Sequence, residues 1–120
     1  MSPGSPVPGA VVSPLTREDR RSLALHAAIA RRLLERPDAT IAHARVVLQT
    51  MRTANPDAQA LLNAWGTLLE GPLAAVLAVL ADPSEQAREL RHATPFAGIL
   101  TPRERAEVYR AFARAEVSAR

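Results

Sequence analysis

The stretch GPLAAVLAVLADPSE, Gly71 to Glu85, sets the architecture of this chain. Leu73, Val76, Leu77 and Leu80 fall on one helical face, with Val79 beside it. The remaining positions from Leu73 to Ala81 are alanine, and Pro72 and Pro83 bound the segment. A helix this apolar on nearly all sides belongs at the centre of a fold. It is far shorter than the ~20 residues needed to span a bilayer. Asp82-Pro83-Ser84-Glu85 then combines a cap, a proline and an acid at capping-box spacing, which starts a short charged helix through Arg91.

On the N-terminal side, Leu61, Leu62, Trp65, Leu68 and Leu69 form a helical stripe that ends at Gly71-Pro72. Asn55-Pro56-Asp57 is a break and restart, with Asn55 as cap and Pro56 at the first helical position. Before it, Ile41, Ala44, Leu48 and Met51, widened by Val47, predict a helix from Asp38 to Thr53. A further helix starts at Thr16, whose hydroxyl can cap the first turn, with Glu18 and Asp19 suited to its positive end. Leu25, Ile29 and Leu33 give it one apolar face, and Pro37 ends it or begins the next helix. On the C-terminal side, Thr94 to Leu100 is a loop rich in large apolar residues. Thr101-Pro102-Arg103-Glu104 repeats the cap, proline and acid before a last helix carrying Val108, Tyr109 and Phe112.

No segment sustains the alternation of a strand. These readings predict an all-α fold, an irregular orthogonal bundle of about five to six short helices. Residues 1–15, with Pro3, Pro6, Pro8 and Pro14 among small residues, predict a disordered leader, and 16–117 a single helical domain. A chain of 120 residues is long enough to bury a core, although much of its 48% hydrophobic content is alanine.

Cysteine is absent, which excludes disulfides and thiolate metal sites. With no basic, apolar leader, the expected location is the cytoplasm, without membrane attachment. The net charge is +3, and every basic side chain is arginine. Acids are interspersed with these arginines, so the charge does not by itself indicate nucleic acid.

The chemistry-bearing residues lack catalytic arrangements. His26, His43 and His92 fall on separate segments, no HExxH occurs, and the five glycines form no phosphate loop. The carboxylate pairs Glu85 with Glu89 and Glu104 with Glu107 have arginine neighbours and read as solvated helix faces, with Arg103–Glu107 and Arg31–Glu35 as expected ion pairs. The expectation is a non-enzymatic protein with no cofactor and no metal. Arg17, Arg20, Arg21, Arg31 and Arg32 make the first helix the most basic, either as a solvated face or as a stripe facing phosphate or an acidic protein. Trp65 is expected in the core. Phe96, Ile99 and Leu100 either fold back onto that core or insert into a partner, because an exposed apolar loop is costly.

The segment ELRHATPFAGILTPRER, Glu89 to Arg105, resembles a pattern of short actinobacterial proteins, LRxx[ST]PFAG[IV]L[ST]PxER. Arg21-Ser-Leu-Ala-Leu-His26 and the Trp65-x-x-Leu-Leu-x-Gly-Pro72 segment are similar to the same group, so the resemblance extends from about residue 20 onward. Thr94 and Thr101 stand where serine is usual, and both keep a small hydroxyl. Such proteins resemble the antitoxin partners of two-gene toxin–antitoxin modules. The resemblance implies a cognate protein partner, with a nucleotidyltransferase-like toxin as candidate, neutralised by steric occlusion. The apolar content of the C-terminal third then nominates Pro95, Phe96, Ile99, Leu100, Arg103, Tyr109 and Phe112 as partner-binding. The alternative is a DNA-binding transcriptional regulator using its arginine-rich helices.

Overall fold

The computed structural model describes residues 15–119. The expected proline-rich leader lies outside them apart from Leu15. Six α-helices follow one another: α1 (Arg17–Glu35), α2 (Pro37–Ala54), α3 (Gln59–Glu70), α4 (Leu73–Ala81), α5 (Glu85–His92) and α6 (Pro102–Ser118). No strand occurs among the described residues.

Local chemistry explains most boundaries. The Thr16 hydroxyl accepts the Asp19 amide and the Asp19 carboxylate accepts the Thr16 amide, each at 3.1 Å, a closed capping box. Thr101 and Glu104 repeat it at the start of α6, at 3.1 and 2.9 Å. Between α1 and α2 a single residue turns the chain. The Arg36 amide donates to Arg32 O and its carbonyl accepts the Thr40 amide, so Pro37 opens α2 directly.

Two expected caps work differently. Asn55 does not cap the following helix with its side chain; its amide donates back to Met51 O and closes α2, while Pro56–Ala58 makes a single 3-10 turn before α3. Asp82 does not cap α5 either. Its carboxylate accepts the Ser84 amide, and Ser84 itself caps α5 by accepting the Ala87 amide at 3.3 Å. Pro83 separates the two roles, since its nitrogen has no proton to give Asp82.

The core contains Ile29 and Leu33 of α1, Ala44 and Leu48 of α2, Leu62, Trp65 and Leu69 of α3, Val76 and Leu80 of α4, and Leu90 of α5. Each large side chain buried this way contributes about 1.5–3 kcal/mol. α1 is the hub, lying against α2, α4, α5 and α6, while α2 pairs with α3. α4 is central through Val76 and Leu80, yet Ala74, Ala78 and Ala81 face solvent, so it is buried along one side only. α6 is different in kind: none of its residues is fully buried. No helix among the described residues is long and apolar enough to cross a membrane.

Candidate partner-binding surface

The loop between α5 and α6 was expected either in the core or at an interface, and most of it is core. Phe96 is 1% exposed, and Pro95 and Leu100 are also buried. The Phe96 ring meets Trp65 edge to face, with centroids 5.8 Å apart, and the indole Nε1 donates to Leu90 O at 2.7 Å. Trp65 thus fastens α3 to the end of α5 while Phe96 closes the core above it. Pro95 and Phe96 therefore have almost no surface left for a partner while the fold is intact, and Leu100 keeps only a small edge at the groove between α1 and α6. Their nomination as contacts gives way to a structural role. The physical reason is that a short chain rich in alanine uses its few large side chains to fill its own core.

Outside the core, the loop is pinned by hydrogen bonds. His43 Nε2 of α2 bonds Ala97 O at 2.9 Å, and Arg32 of α1 donates to Ile99 O at 3.2 Å. Gly98 adopts φ +82°, a left-handed conformation, with the His43 ring against it. Ile99 packs on the rim of the core and remains partly exposed.

Of the other nominated residues, Tyr109 and Phe112 lie in a seam between α1 and α6. The Arg21 guanidinium stacks 3.7 Å from the centroid of the Tyr109 ring, and that of Arg17 lies 5.2 Å from Phe112. Arg20 pairs with Glu116 at 2.8 Å, and Arg32 pairs with Glu104. The Thr101 amide in the capping box, aided by Arg32, holds the Glu104 carboxyl below the usual carboxylate range. Four of the five arginines expected as a stripe on the first helix are thus engaged with α6. Arg31 lines a groove of about 330 Å³ between the two helices, together with Glu35, Glu107 and Val108. The expected pairs Arg31–Glu35 and Arg103–Glu107 are not among the ion pairs of the described residues, three of which run between helices and one, Arg88–Glu85, within α5.

This pairing polarises α6. Its acids Glu104 and Glu116 turn inward to α1. Arg103, Glu107, Arg110, Arg114 and Val117 recur every three or four residues on the opposite side, and all five are exposed. Arg103 stands on this outer face, apart from Tyr109 and Phe112.

Elsewhere, polar groups serve the interior. Arg91 is 2% exposed and donates to Val79 O at 2.9 Å and to Asp82 O, closing the carbonyl end of α4. His26, also 2% exposed, bonds Ser22 O through Nδ1 at 2.8 Å. Among the described residues, His26 Nε2 and Arg91 Nε and Nη2 are buried without a hydrogen-bond partner. Burial, with Arg91 and His92 adding repulsion, lowers the His26 pKa. Burial lowers that of Arg91 as well. No group of three or more His, Asp or Glu residues that could hold a metal ion occurs among the described residues.

Sequence reasoning missed Arg91, Arg32 and His43 as clamps on backbone carbonyls. It also missed the arginine–aromatic seam, although its signal was present: two arginines at i, i+4 in α1 and two aromatic residues at i, i+3 in α6. Comparison of the chain with protein-family models, with curated proteins and with solved structures gave no match.

Proposed function

We propose that this protein is a non-enzymatic binding module of the cytoplasm, an antitoxin that neutralises a cognate toxin by covering it. The observation supporting a binding role is the position of α6. It buries none of its own residues fully, docks on α1 and carries a complete exposed face. A helix retained in that position offers surface rather than core. Ile99, Arg103 and the exposed edges of Tyr109 and Phe112 are the nominated residues that remain available to a partner. The toxin assignment draws on the sequence resemblance, with a nucleotidyltransferase-like enzyme as the candidate toxin.

The DNA-binding alternative draws on the arginines of α1 or of the last helices. Arg17, Arg20, Arg21 and Arg32 are occupied by Phe112, Glu116, Tyr109 and Glu104, which weakens its α1 form.

The test is genetic and then physical. Each gene adjoining this one is expressed alone and together with this chain. One neighbour is expected to arrest growth alone, to be harmless in company, and to co-elute with this protein as a complex. If every neighbour is harmless, or arrest persists while the folded chain is abundant, the antitoxin reading fails.

A further inference from the structure

The outer face of α6 has a composition that the rest of the surface does not explain. Arg103, Arg110 and Arg114 have no ion-pair or hydrogen-bond partner among the described residues. Glu107 lies at the edge of their row and Val117 at its end, the latter 67% exposed. The spacing of four, three, four and three residues keeps all five on one side over roughly 21 Å of helix. Such a row is what a second helix packs along at a shallow crossing angle.

We infer that this row binds an acidic helix of a partner protein, one carrying carboxylates opposite Arg103, Arg110 and Arg114, a base opposite Glu107 and an apolar residue opposite Val117. The inference rests on the binding-module reading above and names the chemistry of its partner. Charge complementarity selects this occupant over the others. A phosphate backbone would meet Glu107 at the edge of the arginine row and would leave Val117 without an apolar contact. A second copy laid antiparallel along the same row would pair Glu107 with Arg114 twice, but it would set Arg110 against Arg110 and leave each Arg103 facing Val117, so neither the row's first charge nor its apolar end is matched.

The closing experiment uses the full chain and a designed probe. The probe is a fluorescent helical peptide with Glu at positions i, i+7 and i+11, Lys at i+4 and Leu at i+14. Its charge-reversed twin and a DNA duplex of similar length are measured beside it by anisotropy at low ionic strength. The acidic peptide is expected to bind more tightly than either. The Arg110→Glu and Arg114→Glu double variant should weaken it on the order of tenfold or more and bind the charge-reversed peptide instead. An Arg36→Glu, Gln49→Glu and Gln59→Glu variant carries the same total charge change on exposed positions away from α6 and should retain the original preference. Circular dichroism confirms that both variants fold. Equal loss in the two variants would reduce the effect to net charge and overturn the proposal. So would tighter binding of the duplex, or no binding of the acidic peptide. In the complex with a growth-arresting neighbour, full retention by the Arg110→Glu and Arg114→Glu variant would remove this surface while leaving the binding-module reading standing.

Discussion

Trp65 and Tyr109 are both aromatic side chains that join two helices, and they do so by opposite means. Trp65 is fully buried, meets Phe96 edge to face and donates its one side-chain N–H to Leu90 O. Tyr109 is half-exposed beneath the Arg21 guanidinium, in a seam whose other contacts are Arg17 over Phe112 and the ion pairs of Arg20 and Arg32. Around Trp65, the loss of one group leaves a cavity and an unsatisfied carbonyl. Along the seam, water can replace each contact at small cost. The centre therefore determines whether the chain folds, and the seam determines how firmly α6 stays docked.

The largest effect should come from breaking the centre. Trp65→Ala is expected to destabilise the whole domain by about 3–5 kcal/mol. Denaturant unfolding should report one transition shifted for every helix together. If only α3 loosened while α1 and α6 kept their protection, the single-core description would be wrong.

Breaking the seam should do something else. Tyr109→Ala with Phe112→Ala removes both cation–π contacts, each worth about 0.5–1 kcal/mol where exposed. Amide hydrogen exchange should rise along α6 while the amides of α3 and α4 hardly change. Equal acceleration in all helices would erase the contrast between the two regions. Between these regions, Gly98→Ala forces a side chain into the left-handed region beside His43, at a cost of roughly 1–2 kcal/mol. That strain should appear as faster amide hydrogen exchange in the α5–α6 loop, which is held by the hydrogen bonds of His43 to Ala97 O and Arg32 to Ile99 O.

Much of the bundle was legible in the sequence because its helices are punctuated by proline and capped by hydroxyls. Thr16 and Thr101 announce their helices, and the apolar rows of α3 and α4 coincide with the residues that reach the core. The loop was legible only in part. Phe96 and Leu100 invited two readings because composition marks a side chain as apolar without saying what it covers. The seam was hidden for a related reason. An arginine row looks the same whether it faces water, phosphate or an aromatic ring distant in the chain, and only the docking of α6 on α1 separates these cases.

Acid should separate the two regions by chemistry. Inside the core, His26 is neutral, because burial and the nearby Arg91 and His92 disfavour its charged form. The unfolded chain binds that proton more readily than the folded one. Stability from this site is therefore complete above the ordinary value of 6.5 and declines as pH falls from there toward the lowered folded value. Asp19 and Glu104, held low first by the Thr16 and Thr101 amides, add their losses only below the ordinary carboxylate values of 3.8 and 4.5. A His26→Gln variant, which can still donate to Ser22 O, should flatten the first decline and leave the second. Denaturant titrations from neutral to acid pH check this, and an unchanged first slope would show that His26 is not its source.

The smallest effect tests the seam at its most exposed link. Arg20→Ala removes the pair with Glu116 and the bond to Leu15 O. Arg20 is 43% exposed along its side chain, so the loss should be only about 0.2–1 kcal/mol. Its value lies in its salt dependence. Added salt screens an exposed pair, so the difference between the parent and the variant should shrink as ionic strength rises, whereas the Trp65→Ala difference should persist. If the Arg20→Ala effect instead held constant in salt, the guanidinium would act mainly through its bond to the Leu15 carbonyl and the packing of its stem. The pair with Glu116 would then contribute little to holding α6, and the same measurement on Arg32→Ala, whose guanidinium reaches Ile99 O besides Glu104, would show whether that holds at both ends of the seam.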